Sequence, residues 1–359
     1  MKKKVIIHSM YLKNMDSFID YYKKNGLDKW IKLIKIESGK SKISTDYIKK
    51  IYYTLFRNYD AIVSDYPTTL LENKKATSIA MGHGTAIKRF PSTAELKHKK
   101  NLKLSKTVKS ADYFVTTSDR QNNLEYRNPI LDQYSNNEYI SLGLPKNDYY
   151  FDEKNVINTN KKIREKLGFL DNQFIVVYAP TWRDFKSGNE RITKNDLIKI
   201  NKLLKELNGY LIYRPHPLGG TFDGDILEEL KLENIIPSSS IDIDLFETLC
   251  ISNALISDYS SIAIEYLPLK KPVLFFLFDQ EEYEVERGIE FDYLDSSISP
   301  GVVVKTVDEL INELNNVIEN KYQDSYWVNR RKICLENHYK YPDGKSAERI
   351  WKLILKELT

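Results

Sequence analysis

The 359 residues exceed what one ordinary hydrophobic core holds and imply about two domains, and 42% hydrophobic with 29% charged residues describes a globular chain rather than a disordered one. The 14 glycines and 12 prolines exclude collagen-like and low-complexity chains, and the two cysteines, Cys250 and Cys334, exclude a disulfide framework or a Cys-rich zinc site. A net charge of +4 from 54 basic and 50 acidic residues is too balanced to imply a nucleic-acid partner.

The basic opening Met1-Lys2-Lys3-Lys4 is followed by only three apolar residues before His8. A secretory signal needs an apolar stretch of about 7–15 residues, so the start reads as the first strand of a cytoplasmic protein. Strands are expected at residues 4–7, 61–64, 78–81, 113–117 and 139–142, with a helix at 15–24. Residues 151–160, rich in Asn and charge, read as a linker, and 161–167 as a short helix. The pattern then restarts: strand 174–178, helix 195–207, strand 210–213, helix 244–249, strand 254–257 with a helix after it, and helix 307–319. Residues 272–278 form a continuous apolar strand, as expected for one buried on both faces. Their purely apolar part, 273–278, falls far short of the roughly 20 residues that a membrane span needs. Ala347, Ile350, Trp351, Ile354 and Leu358 recur at three- and four-residue spacing and predict a helix with one buried face.

Strand–helix alternation gives parallel sheets with helices on both faces. The fold class is therefore α/β, and repeating the pattern across a linker predicts two Rossmann-like domains, 1–155 and 160–340, followed by a C-terminal helix in 341–359. The sequence holds no G-x-G-x-x-G and no Walker G-x-x-x-x-G-K-[ST], so dinucleotide dehydrogenases and P-loop ATPases lose their main support.

Ligands of open parallel sheets bind beyond the carboxyl ends of the strands. Five polar clusters stand there, following 61–64, 78–81, 174–178, 210–213 and 254–257, and a cleft between the halves would gather them. His83, between Gly82 and Gly84 and followed by Thr85 and Lys88, sits where the backbone turns sharply and an imidazole could take a proton from a hydroxyl. A histidine hydrogen-bonded in a turn would look the same. His216 lies between two prolines after Arg214, a rigid turn suited to steadying a phosphate or simply to exposing a polar residue. Asp258-Tyr259-Ser260-Ser261 passes from strand to helix, which suits an anion at the helix start or plain serine capping. Glu265, one turn further, is placed to accept from a ribose hydroxyl. In Thr181-Trp182-Arg183-Asp184, Trp182 reads equally as core and Arg183–Asp184 as a surface pair. Between 88 and 109 stand eight Lys/Arg and one acid, Glu95. This run faces either solvent or an anionic surface. His8, His98 and His338 have no supporting neighbours and read as structural.

In this order, the clusters resemble the CDP-glycerol glycerophosphotransferase family, which builds teichoic acids and related phosphate-containing capsules. The resemblance rests on Gly82-His83-Gly84-Thr85-Ala86-Ile87-Lys88, Gly143-Leu144-Pro145-Lys146-Asn147-Asp148, Tyr178-Ala179-Pro180-Thr181-Trp182-Arg183-Asp184, Arg214-Pro215-His216-Pro217 and Ile256-Ser257-Asp258-Tyr259-Ser260-Ser261. Lys271-Pro272-Val273-Leu274-Phe275-Phe276 and Asp343-Gly344-Lys345-Ser346-Ala347-Glu348-Arg349 complete it. It runs from about residue 61 to the C-terminus. Two positions depart from the family: Gly82 stands where it usually has Trp, and Ala86 where it usually has Pro, both flanking the acceptor side.

The resemblance implies a GT-B-like fold: an N-terminal acceptor domain, a C-terminal CDP-binding domain, a cleft, and a last helix crossing back to the first domain. His83 and His216 match the family's two catalytic histidines. Asp258, Ser260 and Ser261 match the segment lining the CDP site, with Glu265 as a nucleotide contact. Arg214 would steady the diphosphate, and Gly84, Thr85, Lys88, Thr181, Trp182 and Arg183 would line the cleft. The implied reaction moves a polyol phosphate, glycerol phosphate first, from CDP-glycerol or CDP-ribitol to a lipid-linked or polymeric saccharide acceptor and releases CMP. No D-x-D motif in a matching context is present, so no metal and no tightly bound cofactor are expected. Residues 97–109, with Lys97, Lys99, Lys100, Lys103, Lys106 and Lys109, would hold the protein on the anionic inner face of the cell membrane. The length, without the extension of the large polymerases, is expected to favour priming, single addition or capsule synthesis. A GT-B glycosyltransferase or epimerase using a UDP-sugar would share the fold, and a catalytically silent basic scaffold is the remaining alternative.

Overall fold

The computed structural model describes residues 2–38, 44–82, 84–85, 87, 103, 106–124, 137–183, 192–216, 219 and 225–359. The chain divides into two compact units: Met1–Phe151 with His338–Thr359, and Asp152–Asn337.

The first unit is built on six parallel strands: β1 (Lys3–Ser9), β2 (Ile31–Glu37), β3 (Ala61–Ser64), β4 (Thr77–Met81), β5 (Tyr113–Thr116) and β6 (Glu138–Ser141), in the order β2-β1-β3-β4-β5-β6. Successive side chains on a strand point to opposite faces, and both faces are covered. Val5, Ile7, Ala61, Val63, Ile79 and Met81 enter one core, while Ile6, Ile62 and Ala80 enter the other. The helix Ser346–Glu357 closes the first of these cores. Its Trp351 is fully buried, stacks on Phe18 with ring centroids 4.4 Å apart, and donates Nε1–H to the Phe18 carbonyl at 2.8 Å. The periodic residues Ala347, Ile350 and Ile354 are buried on the same face.

The second unit repeats the plan with β7 (Phe174–Tyr178), β8 (Gly209–Tyr213), β9 (Ile235–Pro237), β10 (Ala254–Ser257), β11 (Val273–Phe276) and β12 (Val302–Val304), all parallel, in the order β12-β11-β10-β7-β8-β9. From β7 the chain steps outward through β8 and β9, then returns to lay β10 on the other side of β7. The topological switch point therefore lies between β7 and β10, where open α/β sheets bind ligands.

Residues 151–160 are not a linker. The helix Glu153–Leu167 runs through them, started by Asp152, whose carboxylate accepts from Asn155 N–H at 3.0 Å, and ended by Gly168 at φ +76°. Of this helix only Ile163 and Arg164 are buried, so a polar surface helix presents the composition of a loop. Strand β2 and the helix Thr45–Phe56 were also hidden, because lysines interrupt their apolar patterns. Among the described residues no helix is long and apolar enough to cross a membrane.

Candidate functional site

At the switch point of the second unit, Arg183 is the hub of a buried ion-pair network. Its Nη1–H donates to Asp258 Oδ2 at 2.5 Å, and its Nε and Nη2 donate to the two oxygens of Asp279 at 3.1 and 3.0 Å. The three side chains are 7%, 1% and 4% exposed, which replaces the expected surface pair at Arg183. Asp184 lies outside the described residues. The guanidinium lies 5.2–5.5 Å from the ring centroids of Tyr259, Phe278 and Tyr283. Burial by itself would lower the Arg183 pKa, but the Asp258 and Asp279 carboxylates outweigh it and hold the group above the ordinary arginine range. Burial raises the Tyr259 hydroxyl pKa strongly, and the same two carboxylates add to the shift.

Asp258 is fully occupied by the protein. Its Oδ1 accepts from Thr181 N–H at 2.8 Å and Tyr259 N–H at 2.6 Å, so one carboxylate ties the loop after β7 to the loop after β10. Ser260 and Ser261 follow half-buried. Ser261 Oγ donates to Glu265 Oε1 at 3.0 Å, and Glu265 is 2% exposed. Glu265 thus orients a serine hydroxyl in this structure. The helix Ile262–Glu265 is one turn long and has no side-chain cap bond from Ser261, while Ser260 Oγ accepts from Ile262 N–H at 3.4 Å, so Ser260 supplies a long capping contact and Ser261 none. Thr181 Oγ1 is buried and has no hydrogen-bond partner among the described residues.

The loop after β8 adjoins this group. Arg214 is half-buried, with Nη1 donating to Thr248 Oγ1 at 3.3 Å. His216 is exposed, and its ring lies 6.4 Å from the half-buried Trp182 ring at an interplanar angle of 27°. Gly219 N–H donates to the His216 carbonyl at 2.8 Å, and a Cβ on Gly219 would meet Trp182 Cδ1 at 3.3 Å. β10, β7 and β8 are neighbours in the sheet. Their loops therefore carry Ser260, Ser261, Thr181, Trp182, Arg214 and His216 at one carboxyl edge.

In the first unit, His83 and Lys88 lie outside the described residues, as do Lys97, Lys99 and Lys100. Gly84 is half-buried, and Thr85 is buried with no hydrogen-bond partner for Oγ1 among the described residues. Of the rest of the basic run, Lys103 is exposed and Lys106 half-buried, but Lys109 is buried and bonded to the Tyr139 hydroxyl. Lys109 therefore does not belong to a surface patch. Beyond β1 and β3, the buried Asp65 accepts from the buried Ser9 Oγ at 2.8 Å and from the half-buried Asn14 Nδ2 at 3.0 Å.

Sequence reading placed Tyr259 in its cluster without a role and missed Asp279 and Tyr283. A signal for Asp279 was present: an acid just beyond a buried apolar strand, as Asp258 is beyond β10. Among the described residues no group of three or more His, Cys, Asp or Glu side chains could hold a metal ion.

Residues 4–356 match the family model described as CDP-glycerol:poly(glycerophosphate) glycerophosphotransferase. The chain is 27% identical over 219 residues to the teichoic acid ribitol-phosphate polymerase TarK of Staphylococcus aureus (strain NCTC 8325 / PS 47), a match covering 59% of this chain and 40% of that protein. It is 27% identical over 316 residues to the teichoic acid glycerol-phosphate primase of Bacillus subtilis (strain 168), covering 86% and 76% respectively. The chain thus spans less than half of one of these relatives and about three quarters of the other. The solved structure of the wall teichoic acid polymerase TagF superposes with a TM-score of 0.71 at 23% identity, covering 99% of this chain and 89% of that one, a likeness of fold.

Proposed function

The chain belongs to the CDP-glycerol:poly(glycerophosphate) glycerophosphotransferase family, and from that membership we propose that it transfers a polyol phosphate, glycerol phosphate foremost, from a CDP-polyol to an acceptor hydroxyl. The observation that carries the reading is the gathering of Ser260, Ser261, Arg214 and His216 at the switch-point edge of the second unit, with Trp182 beside His216. Hydroxyl donors, a guanidinium and an imidazole on neighbouring strand ends suit a diphosphate. The acceptor oxygen attacks the phosphorus that bears the polyol. A new P–O bond forms, the bond from that phosphorus to the bridging oxygen breaks, and CMP leaves with the electron pair. His83 is the proposed general base for the acceptor proton. Arg214, His216 and the Ser260 hydroxyl stabilise the charge on the diphosphate, so catalysis is mainly positioning and electrostatics. Asp258, Arg183 and Glu265 contribute by holding these loops. Relatives named for both glycerol phosphate and ribitol phosphate make both donors worth assaying. Incubation with CDP-glycerol or CDP-ribitol and a lipid-linked or soluble saccharide is expected to release CMP. Turnover of UDP-sugars with no CMP from either donor overturns the reading.

Peripheral attachment to the inner face of the membrane completes the proposal. It is supported by the helix Thr45–Phe56, whose Ile48, Ile51, Tyr52, Leu55 and Phe56 are exposed, with Lys35, Lys49 and Arg57 exposed around them. An apolar stripe with a basic rim complements an anionic bilayer. Ile48→Ser with Leu55→Ser is expected to abolish sedimentation with phosphatidylglycerol vesicles while CMP release with a soluble acceptor persists. Unchanged sedimentation removes this helix from the membrane reading.

A further inference from the structure

We propose that Asp279 is a positioning residue of the nucleotide site, holding Arg183 in the one orientation that lets Asp258 fasten the loops after β7 and β10 together. The proposal rests on the nucleotide reading above and extends it to a residue on a third strand. Asp258 binds Thr181 N–H and Tyr259 N–H through Oδ1 while Arg183 Nη1 engages its Oδ2. Nothing on Asp258 itself sets the plane of the guanidinium. Asp279 does: it takes the Nε and Nη2 hydrogens on its two separate oxygens, a side-on fork that fixes a guanidinium in plane and in rotation. The same carboxylate accepts the Tyr259 hydroxyl at 3.1 Å, and Tyr259 stacks on Tyr283 at 3.8 Å between centroids. Three adjacent strands, β11, β10 and β7, are thereby joined at their carboxyl ends by one arginine. Trp182 lies between the anchored Thr181 and Arg183 on one loop, and Ser260 and Ser261 follow the anchored Tyr259 on the other.

Asp279→Asn keeps the volume and one acceptor oxygen but loses half of the fork and a compensating charge. Two measurements test it, each made well below the unfolding temperature of the variant. Hydrogen exchange at the Thr181 and Tyr259 amides is expected to quicken, although neither amide touches Asp279. The Kd for CMP is expected to rise on the order of tenfold, as for residues that orient ligand-contacting groups, with the acceptor KM unchanged. Arg183→Lys, which keeps the charge but cannot form the fork, is expected to reproduce both effects. A lowered unfolding temperature with unaltered CMP affinity would make the network purely structural and overturn the proposal. Unaltered exchange at both amides overturns it equally. If the parent protein binds no CMP, the nucleotide reading falls, and the exchange measurement still decides whether Asp279 fixes the two loops.

Discussion

Gly143 lies so close to Ser346 that a Cβ on the glycine would stand 2.2 Å from the serine Oγ. Five residues after Gly143, Asp148 accepts the backbone N–H groups of Ser346 and Ala347 at 3.0 and 2.9 Å and lies 3.1 Å from the Ser17 hydroxyl. Gly344 approaches from the other side, where a Cβ would stand 2.8 Å from the Asp148 carbonyl oxygen. The Gly-Leu-Pro-Lys-Asn-Asp and Asp-Gly-Lys-Ser-Ala-Glu-Arg stretches, to which no chemistry attaches, are two halves of one joint that seats the C-terminal helix in the first unit.

Gly143→Ala meets both the serine and an unfavourable backbone, since φ is +86° at this position. The expected loss of stability is about 2–4 kcal/mol, read from urea midpoints. Adding Ser346→Ala is expected to recover the steric part and leave about 1 kcal/mol of backbone strain. Full recovery in the double variant would show that the backbone conformation costs nothing.

Asp148→Ala leaves the first two N–H groups of the C-terminal helix buried without an acceptor. A loss of about 2–4 kcal/mol is expected, the sum of a lost cap and two unpaired donors. Faster hydrogen exchange confined to the start of the helix Ser346–Glu357 would locate the damage. Exchange that quickens evenly across the first unit would contradict a local capping role.

His8 couples the first unit to pH. It is fully buried, with Nδ1 3.0 Å from Ser64 Oγ and Nε2 2.8 Å from Ser38 Oγ. Burial, with the nearby Lys50 charge, lowers its pKa from 6.5 to about 3. Between those two values the unfolded chain binds a proton that the folded chain does not, so stability falls as pH is lowered through that window. At pH 5 the loss is about 2 kcal/mol. The urea midpoint should drop between pH 7 and pH 5, and His8→Gln should flatten that dependence. A variant as acid-sensitive as the parent would assign the effect to other groups.

Some of this organisation is plain in the residue order and some is not. Strands at 61–64, 174–178 and 254–257 stand where expected, because each is an apolar run stopped sharply by polar residues. The buried face of the last helix is equally plain from its spacing. The first half of the helix Glu153–Leu167 was hidden by its exposure, and β2 by Lys32 and Lys35, which interrupt the apolar pattern of an edge strand. Ser260, Arg214 and His216 are legible as polar residues at strand ends. Asp279 stands at a strand end in the same way, but its pairing with Arg183, 96 residues away in sequence, cannot be read from the residue order. The burial of Lys109 inside a basic run is likewise a tertiary fact: Tyr139 comes to it from strand β6.

The contact between Gly219 and Trp182 offers a test of the donor side that leaves the core alone. Gly219 is exposed at φ +143°, its N–H is bonded to the His216 carbonyl, and a Cβ there would stand only 3.3 Å from Trp182 Cδ1. Gly219→Ala must therefore move either the indole or the turn that carries His216. The shift required is a few tenths of an ångström, and displacements of about 1 Å near reacting groups cost up to about a hundredfold in rate, so CMP release is expected to fall severalfold, while the positive φ lowers stability by about 1 kcal/mol. Trp182→Ala in the same background separates the two causes. If the indole transmits the effect, Gly219→Ala costs much less once the ring is gone, a coupling that a double-mutant cycle reads directly. An equal cost in both backgrounds would place the effect in the backbone at Gly219 and show that Trp182 does not hold His216 in place.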